Sequence, residues 1–377
     1  MKVAIVVNSA WAAYNFRVNL ALAMVSKGYE VIFIVPYDGK YSEKLKKNFQ
    51  CHNLFIDPKS LSPIKEIRTF INLLNIYKKV KPNIVCHFTI KLNIYGSIVA
   101  RIFKIPSISN ITGLGTLFIE NNLVTFFAKL LYKFSLSFPE KIFFQNIEDQ
   151  NYFFYNKLVH FDANTALLPG SGVDLEKFKF STSVIQKDKF VFLLISRLLR
   201  DKGIYDYIDA IKIVKRRFPD KIIEFQLLGE VGTNNRTAIQ MNELDDWVND
   251  NLISYLGISD KVEQVITGCD CVVLPSYREG MPRSILEAFA IGRPAIASDV
   301  PGCRGIVEHK ANGLLCKVKS PPDLARKMIT MMRISKECRY KLSENGRSKV
   351  EHFFDEKIVI NNYIESINNI AAYEKII

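Results

Sequence analysis

Two glutamates eight residues apart, Glu279 and Glu287, stand in the segment Ser276-Tyr277-Arg278-Glu279-Gly280-Met281-Pro282-Arg283-Ser284-Ile285-Leu286-Glu287-Ala288. An apolar strand pattern over residues 271–274 runs into Pro275, and Gly280 with Pro282 then hands over to a helix. This spacing puts Glu279 in the loop before the helix and Glu287 on its second turn. An ionised carboxylate accepts hydrogen bonds from two vicinal hydroxyls strongly. Two carboxylates so placed could hold the sugar and the ribose of one nucleotide sugar, its phosphates meeting the amides of the helix N-terminus. Taken singly, each reads first as a solvated acid of a loop or a helix surface.

A second group precedes it. Ser196-Arg197-Leu198-Leu199-Arg200-Asp201-Lys202-Gly203 follows a strand pattern and opens a helix. Arg197 offers a planar fork to phosphate oxygens and Lys202 a compact cation. Such a device suits a nucleoside diphosphate that gains negative charge as it departs; the other reading is a pair of surface cations. Gly280 and Met281 offer backbone amides to a donor sugar or phosphate. Arg283 is either a further cation there or a salt-bridge partner on the helix surface. Near the front of the chain, Lys91 and Asn93 follow a strand and suit an acceptor's phosphate or hydroxyls, or simply the polar start of a helix. His87 ends that strand, where a core histidine is the competing reading.

The elements that must position these residues alternate. Strand patterns fall at residues 3–8, 31–36, 54–56, 84–87, 107–111, 141–144 and 166–168, with helical patterns near 14–27, 41–49, 63–80, 91–104, 121–138 and 146–157 between them. Helices of that length between strands imply βαβ crossovers and a parallel sheet. The rhythm breaks at Pro169-Gly170-Ser171-Gly172-Val173-Asp174 and a polar stretch through Lys189. A second alternation follows, with strands at 190–196, 222–228, 253–255, 271–274, 295–298 and 313–316, and helices near 203–218, 237–249, 284–291, 323–334 and 337–350. The expected fold is α/β, two Rossmann-like domains whose sheets direct their carboxyl ends at a ligand cleft. The domains are 1–170, a linker 171–189, and 190–354, followed by a final helix in 355–377.

The strand-Pro-Ser-Tyr-Arg-Glu-Gly approach and the Leu-Glu-Ala-Phe-Ala helix resemble the E-x7-E signature of retaining glycosyltransferases of family 4, which have the GT-B fold. The match is close over most of 190–320 and looser before it. The resemblance implies a nucleotide-sugar-binding second domain with Glu279 facing the sugar and Glu287 the ribose. Gly280, Met281 and Arg283 join the donor site, and Arg197 and Lys202 lie against the diphosphate; Arg197, Lys202 and Glu279 carry the catalytic role. It implies an acceptor-binding first domain, with 355–377 crossing back onto it. Tyr14-Asn15-Phe16-Arg17, Phe88-Thr89-Ile90-Lys91-Leu92-Asn93-Ile94-Tyr95-Gly96 and Thr112-Gly113-Leu114-Gly115-Thr116 resemble a subgroup that makes capsule, O-antigen and lipid-linked oligosaccharide. On the acceptor side this points to Asn15, Arg17, His87, Lys91, Asn93, Thr112 and Gly113. Two departures stand out: Ala12-Ala13 replaces a glycine pair, and no histidine follows the fifth strand. Retaining enzymes of this fold are thought to let the departing phosphate oxygen take the acceptor's proton.

Composition sets limits. The 377 residues, 48% hydrophobic and 24% charged, describe a folded globular chain of two domains. No apolar run reaches the length of about 18 residues that a membrane helix needs, and the start lacks a signal-peptide pattern. Seven cysteines, odd in number and without C-x-x-C, read as reduced thiols, and no metal-ligand cluster is apparent. The net charge of +13 is concentrated in residues 1–170, which hold 20 Lys or Arg against 10 Asp or Glu. With no recognition module for nucleic acid, an anionic membrane or lipid diphosphate is the better partner. Residues 123–138, apolar and aromatic with Lys129 and Lys133, suit either an interfacial helix or a crossover helix on the sheet. The sequence thus reads as a metal- and cofactor-free transferase moving an N-acetylhexosamine or hexose from a nucleotide sugar, UDP-linked by preference. The acceptor is a polyprenyl-diphosphate-linked glycan, and the place is the cytoplasm, at the inner face of the membrane. A non-hydrolysing sugar-nucleotide 2-epimerase and a non-catalytic GT-B subunit are the alternatives.

Overall fold

A computed structural model describes residues 1–58, 60, 62–113, 123–181, 189–232, 235 and 237–374. It divides into two compact units, Met1–Ser171 with Lys357–Ile377, and Gly172–Glu356.

In the first unit the described strands are β1 (Lys2–Val6), β2 (Glu30–Val35), β3 (Gln50–Asn53), β4 (Ile84–Phe88), β5 (Ser107–Ile111), β6 (Lys141–Phe144) and β7 (Thr165–Leu167). They form one parallel sheet in the order β3-β2-β1-β4-β5-β6-β7. The connecting helices are α1 (Ala10–Ser26), α2 (Tyr41–Lys46), α3 (Pro63–Val80), α4 (Ile90–Ile102), α5 (Leu123–Ser135) and α6 (Ile147–Tyr155). The central strands are buried on both faces, as in a sheet covered twice, although β5 carries Ser107, Ser109 and Asn110 among its buried residues. One face packs against α1, α2 and the C-terminal helix; the other is covered by α3, α4, α5 and α6.

The second unit is built the same way. Its strands β8 (Lys189–Ile195), β9 (Ile222–Leu228), β10 (Ser254–Tyr255), β11 (Cys271–Leu274), β12 (Ala295–Ser298) and β13 (Gly313–Cys316) lie parallel in the order β10-β9-β8-β11-β12-β13. On one face lie α7 (Ile204–Arg217), α8 (Met241–Asn249) and α12 (Pro321–Arg333). On the other lie α9 (Val262–Thr267), α10 (Arg283–Ile291), α11 (Pro301–Arg304) and α13 (Lys336–Phe353). The expected α/β architecture of two parallel sheets is therefore present.

The differences are local. The strand expected at 54–56 is β3 instead, four residues earlier and polar. An edge strand is only half covered, so its residues need not be apolar, whereas Leu54 is buried just past its end. The two short helices α9 and α11 are too brief to show a helical period. The linker expected at 171–189 is packed chain over 172–181. Val173 bridges Asp355 and is buried with Phe178, Phe180 covers Gly292, and Arg347 donates to the Phe178 carbonyl. These apolar residues within a polar stretch anchor it to the second unit; residues 182–188 lie outside the described residues, as do 114–116 of the third subgroup motif.

The C-terminal helix α14 (Glu356–Glu374) belongs to the first unit. It buries Val359, Tyr363 and Ile367 in the core below α1. The Tyr363 ring lies 5.8 Å from Phe88 and 5.0 Å from Phe143, and its hydroxyl accepts a hydrogen bond from Asn110 Nδ2 at 2.7 Å. Tyr363→Phe keeps the packing and loses the hydrogen bond, so it should cost about 1 kcal/mol, whereas Tyr363→Ala should cost about 3–5 kcal/mol. Urea denaturation midpoints of the full chain test this; equal losses for the two variants would contradict the packing role.

Candidate active site

In an open parallel sheet the ligand crevice forms outside the carboxyl ends of the strands where the strand order reverses. In the second unit that reversal lies between β8 and β11. The chain leaving β8 carries Arg197 and Lys202, and the chain leaving β11 carries Glu279, so the two motifs found apart in the sequence meet there.

The two loops are fastened together by backbone. Beyond β8, Leu198 and Leu199 are buried and a 3-10 turn, Arg200–Lys202, delivers the chain to Gly203 and α7. Gly203 has φ +73°, and a Cβ there would stand 2.1 Å from the Pro275 carbonyl oxygen. Only glycine permits that contact in that conformation. Tyr277 N donates to the Asp201 carbonyl at 2.9 Å, and the Asp201 carboxylate accepts from Thr237 at 2.7 Å. On the other side, α11 presses Gly302 against the Glu279–Gly280 turn, where a Cβ would lie 2.3 Å from the Gly280 oxygen.

Two ion pairs result. Lys202 Nζ lies 2.5 Å from Glu279 Oε1, and Arg283 Nε lies 3.1 Å from Glu287 Oε1 one helical turn away on α10. All four side chains are at most 20% exposed. Arg197 is exposed. The structure thus places Arg283 beside Glu287, the salt-bridge alternative of the sequence reading. Burial pushes the Glu287 carboxyl above its ordinary value; the Arg283 guanidinium and then Lys177 pull it back, while Glu263 pushes it up. Met281 packs partly buried against the second-unit core. Among the described residues no group of three or more His, Cys, Asp or Glu is placed to hold a metal ion.

Several residues expected to meet an acceptor are used inside the first unit instead. His87 is fully buried, its Nε2 2.8 Å from the Tyr77 hydroxyl and its Nδ1 3.4 Å from Ser97 Oγ; burial pushes its pKa down to about 3. It is a neutral core residue, because a charged imidazole has no counterion in that setting. Lys91 directs Nζ to the Asp57 and Ser60 carbonyls and to Glu66, filling all three donor positions. Asn93 is fully buried and donates to the Asn110 carbonyl. Arg17 is buried with its guanidinium 4.0 Å from the Phe88 ring centroid. Asn15, Thr112 and Gly113 stay partly exposed; Asn15 donates to the Trp11 carbonyl and Gly113 takes φ +136°.

Sequence reasoning missed two hydroxyl residues. At the β1–β4 reversal of the first unit, Thr89 has φ 81° and ψ 158°, a region that belongs to glycine, and its Oγ1 is buried without a hydrogen-bond partner. At the corresponding point of the second unit, Ser276 is fully buried with Oγ likewise unpartnered. A Thr or Ser after a buried strand is too common a sequence pattern to have singled them out.

Known proteins accord with this geometry. A model of "Glycosyl transferases group 1" matches residues 176–349, and one of "Glycosyl transferase 4-like" matches 2–146. The chain is 28% identical, over 97% of its length and 98% of the relative's, to the N,N'-diacetylbacillosaminyl-diphospho-undecaprenol alpha-1,3-N-acetylgalactosaminyltransferase of Campylobacter jejuni. It is 26% identical, over 75% of its length and 76% of the relative's, to an Escherichia coli UDP-Gal:alpha-D-GlcNAc-diphosphoundecaprenol alpha-1,3-galactosyltransferase. Staphylococcus aureus CapM, a capsular polysaccharide biosynthesis glycosyltransferase, is 24% identical over 87% of each chain. In fold it is similar to Anabaena HepE in complex with UDP, with TM-score 0.78, 19% identity and coverage of 98% and 100%. A Thermosynechococcus elongatus sucrose-phosphate synthase gives TM-score 0.81 at 16% identity, with coverage of 99% and 100%. The fold is GT-B, and the chain belongs to the family 4 glycosyltransferases; its relatives include enzymes of capsule and of diphosphoundecaprenol-linked glycan synthesis. This membership supports the glycosyltransferase reading over the epimerase.

The Arg283–Glu287 pair makes a testable statement about pH. Arg283 favours the ionised carboxylate, so Arg283→Met should raise the Glu287 pKa further. Activity that needs the carboxylate should then fall off at higher pH on acidification than in wild type. A pH profile of kcat/KM measures this; an unmoved acid limb would show that Arg283 does not govern Glu287.

Proposed function

We propose that the protein is a retaining, metal-independent transferase that moves an N-acetylhexosamine or hexose from a UDP-sugar to a polyprenyl-diphosphate-linked glycan. The product would belong to bacterial surface polysaccharide, and the enzyme would work in the cytoplasm at the inner face of the membrane. The observation that supports the donor half is the Lys202–Glu279 pair at the strand-order reversal of the second unit, with Arg197 on the same chain leaving β8 and Glu287 on the helix that follows Glu279. The acceptor half is supported by the two relatives named for diphosphoundecaprenol-linked substrates, and the UDP donor by the galactosyltransferase among them.

In this reading Glu287 accepts hydrogen bonds from the ribose hydroxyls and Glu279 from the donor sugar. Arg197 and Lys202 lie against the diphosphate, and the Gly280 and Met281 amides complete the cradle. The bond between the anomeric carbon and the diphosphate oxygen breaks while the acceptor oxygen bonds to that carbon on the same face. The acceptor's proton passes to the departing phosphate oxygen, so no side-chain base is required. Charge that grows on the diphosphate is met by the two cations. Lys202 already pairs with Glu279, so it is held at the point where that charge develops. The two carboxylates are holding groups; they are not an acid/base couple set across one bond.

A thermal-shift screen of UDP-, GDP- and dTDP-sugars should single out the UDP donors. Glu287→Ala should weaken the best of them about 10- to 100-fold, as loss of a charge-assisted hydrogen bond predicts. Equal stabilisation of variant and wild type would sink the ribose assignment. Metal independence is a separate expectation: transfer to a lipid-linked acceptor should be unchanged by excess chelator, and a loss restored by added Mg²⁺ or Mn²⁺ would refute it.

A further inference from the structure

The first unit carries an apolar, basic face that its own core does not explain. Helix α3 packs beside α4 and α4 beside α5, all three on the same side of the sheet. Their inward residues fill the core; Leu73, Ile76 and Tyr77 of α3 and Tyr132 of α5 are buried. Their outward residues are also apolar. On α3, Ile64, Ile67 and Ile71 are 80%, 59% and 50% exposed, at the i, i+3, i+7 spacing of a single helical stripe. On α5, Phe126, Leu130 and Phe134 repeat every four residues and are about half exposed. Ile102 at the end of α4 lies exposed as well. Scattered surface isoleucines need no explanation, but two stripes on neighbouring helices of one layer do.

The charge of the same stretch selects the occupant. Residues 63–135 carry ten Lys or Arg and two acids, Glu66 and Glu120, so most of the positive excess of residues 1–170 lies here. Of the acids, Glu66 is already paired with Lys91. Arg68, Arg101, Lys104 and Lys133 are exposed on these helices or at their ends. An apolar stripe bordered by exposed basic charge matches a bilayer interface with anionic headgroups, into which apolar side chains sink while cations stay at the phosphates. Among the described residues no helix is long and apolar enough to cross a membrane, so such contact would be made by a surface.

We infer that the outward face of α3, α4 and α5 docks on an anionic lipid bilayer, with the Ile64–Ile67–Ile71 stripe as a principal inserting element. This deepens the lipid-linked-acceptor reading and rests on it for its purpose. The helices begin where the strands end, so a bilayer on this face lies beside the edge of the first unit that carries Thr112 and Gly113.

The test is co-sedimentation of the full chain with vesicles, without donor or acceptor. Vesicles of 30% phosphatidylglycerol in phosphatidylcholine should bind wild type, phosphatidylcholine alone should bind it at least tenfold more weakly, and salt should reverse the difference. The triple variant Ile64→Ser, Ile67→Ser, Ile71→Ser should lose binding at least tenfold while keeping wild-type melting and nucleotide affinity. Reversing charge with Arg68→Glu and Lys133→Glu should weaken binding without touching the stripe. Equal vesicle binding by wild type and the triple variant would overturn the inference, as would no preference for anionic lipid. A dimer that the triple variant dissolves would assign the stripe to a second copy instead. Wild type that binds vesicles but transfers no sugar to any lipid-linked acceptor would refute the functional reading and leave the surface standing.

Discussion

The candidate site of the second unit depends on one backbone contact, the passage of Gly203 over the Pro275 carbonyl. With any side chain at position 203, the turn after β8 could not lie on the end of β11. Lys202, one residue before, reaches Glu279 because of that contact, and the Tyr277–Asp201 hydrogen bond keeps the two loops in register. Gly229 repeats the device next door: a Cβ there would lie 1.7 Å from the Ser196 oxygen, so the ends of β8 and β9 also meet backbone to backbone. Residues that the sequence separates by nearly 80 positions become neighbours through contacts that leave no room for side chains.

That geometry sets the electrostatics. Each carboxylate of the signature has its own cation. Partly buried pairs of this kind gain little net stability, because desolvation offsets most of the attraction. Their value is in holding charge at fixed positions before a ligand arrives. In the proposed donor reading, a diphosphate would meet an exposed Arg197 and a Lys202 already fixed by its pair with Glu279. Burial of Glu287 works against its ionisation, and Arg283 is the nearest group that opposes this. A helix-surface arginine therefore has its effect through the carboxylate four residues on.

The second unit was largely legible because its signals are local. The Pro275-to-Ala288 run joins a strand, a turn and a helix within one short segment, and chemistry and structure share the same residues. The alternation of strands and helices was legible for the same reason, since buried parallel strands read as apolar runs. What failed was what depends on partners far away. β3 is polar because it lies at an edge, and residues 172–181 are packed because Val173 and Phe178 find the second-unit core. Neither fact is written in the residues themselves.

The acceptor side shows the sharper limit. His87, Lys91, Asn93 and Arg17 follow or flank strands at the expected edge, and by type each suits a phosphate or a sugar hydroxyl. The structure turns each inward: to Tyr77, to two carbonyls and Glu66, to Asn110 and to the Phe88 ring. A buried polar side chain must be satisfied internally, and the residues that do so are those that would also bind a ligand. Residue type therefore cannot separate scaffold from site at a strand end; only exposure can. By that measure, of the seven residues expected on the acceptor side only Asn15, Thr112 and Gly113 stay partly exposed, beside a large apolar, basic surface. In the proposed reading, such a domain would select its acceptor in part by the surface on which that acceptor is carried.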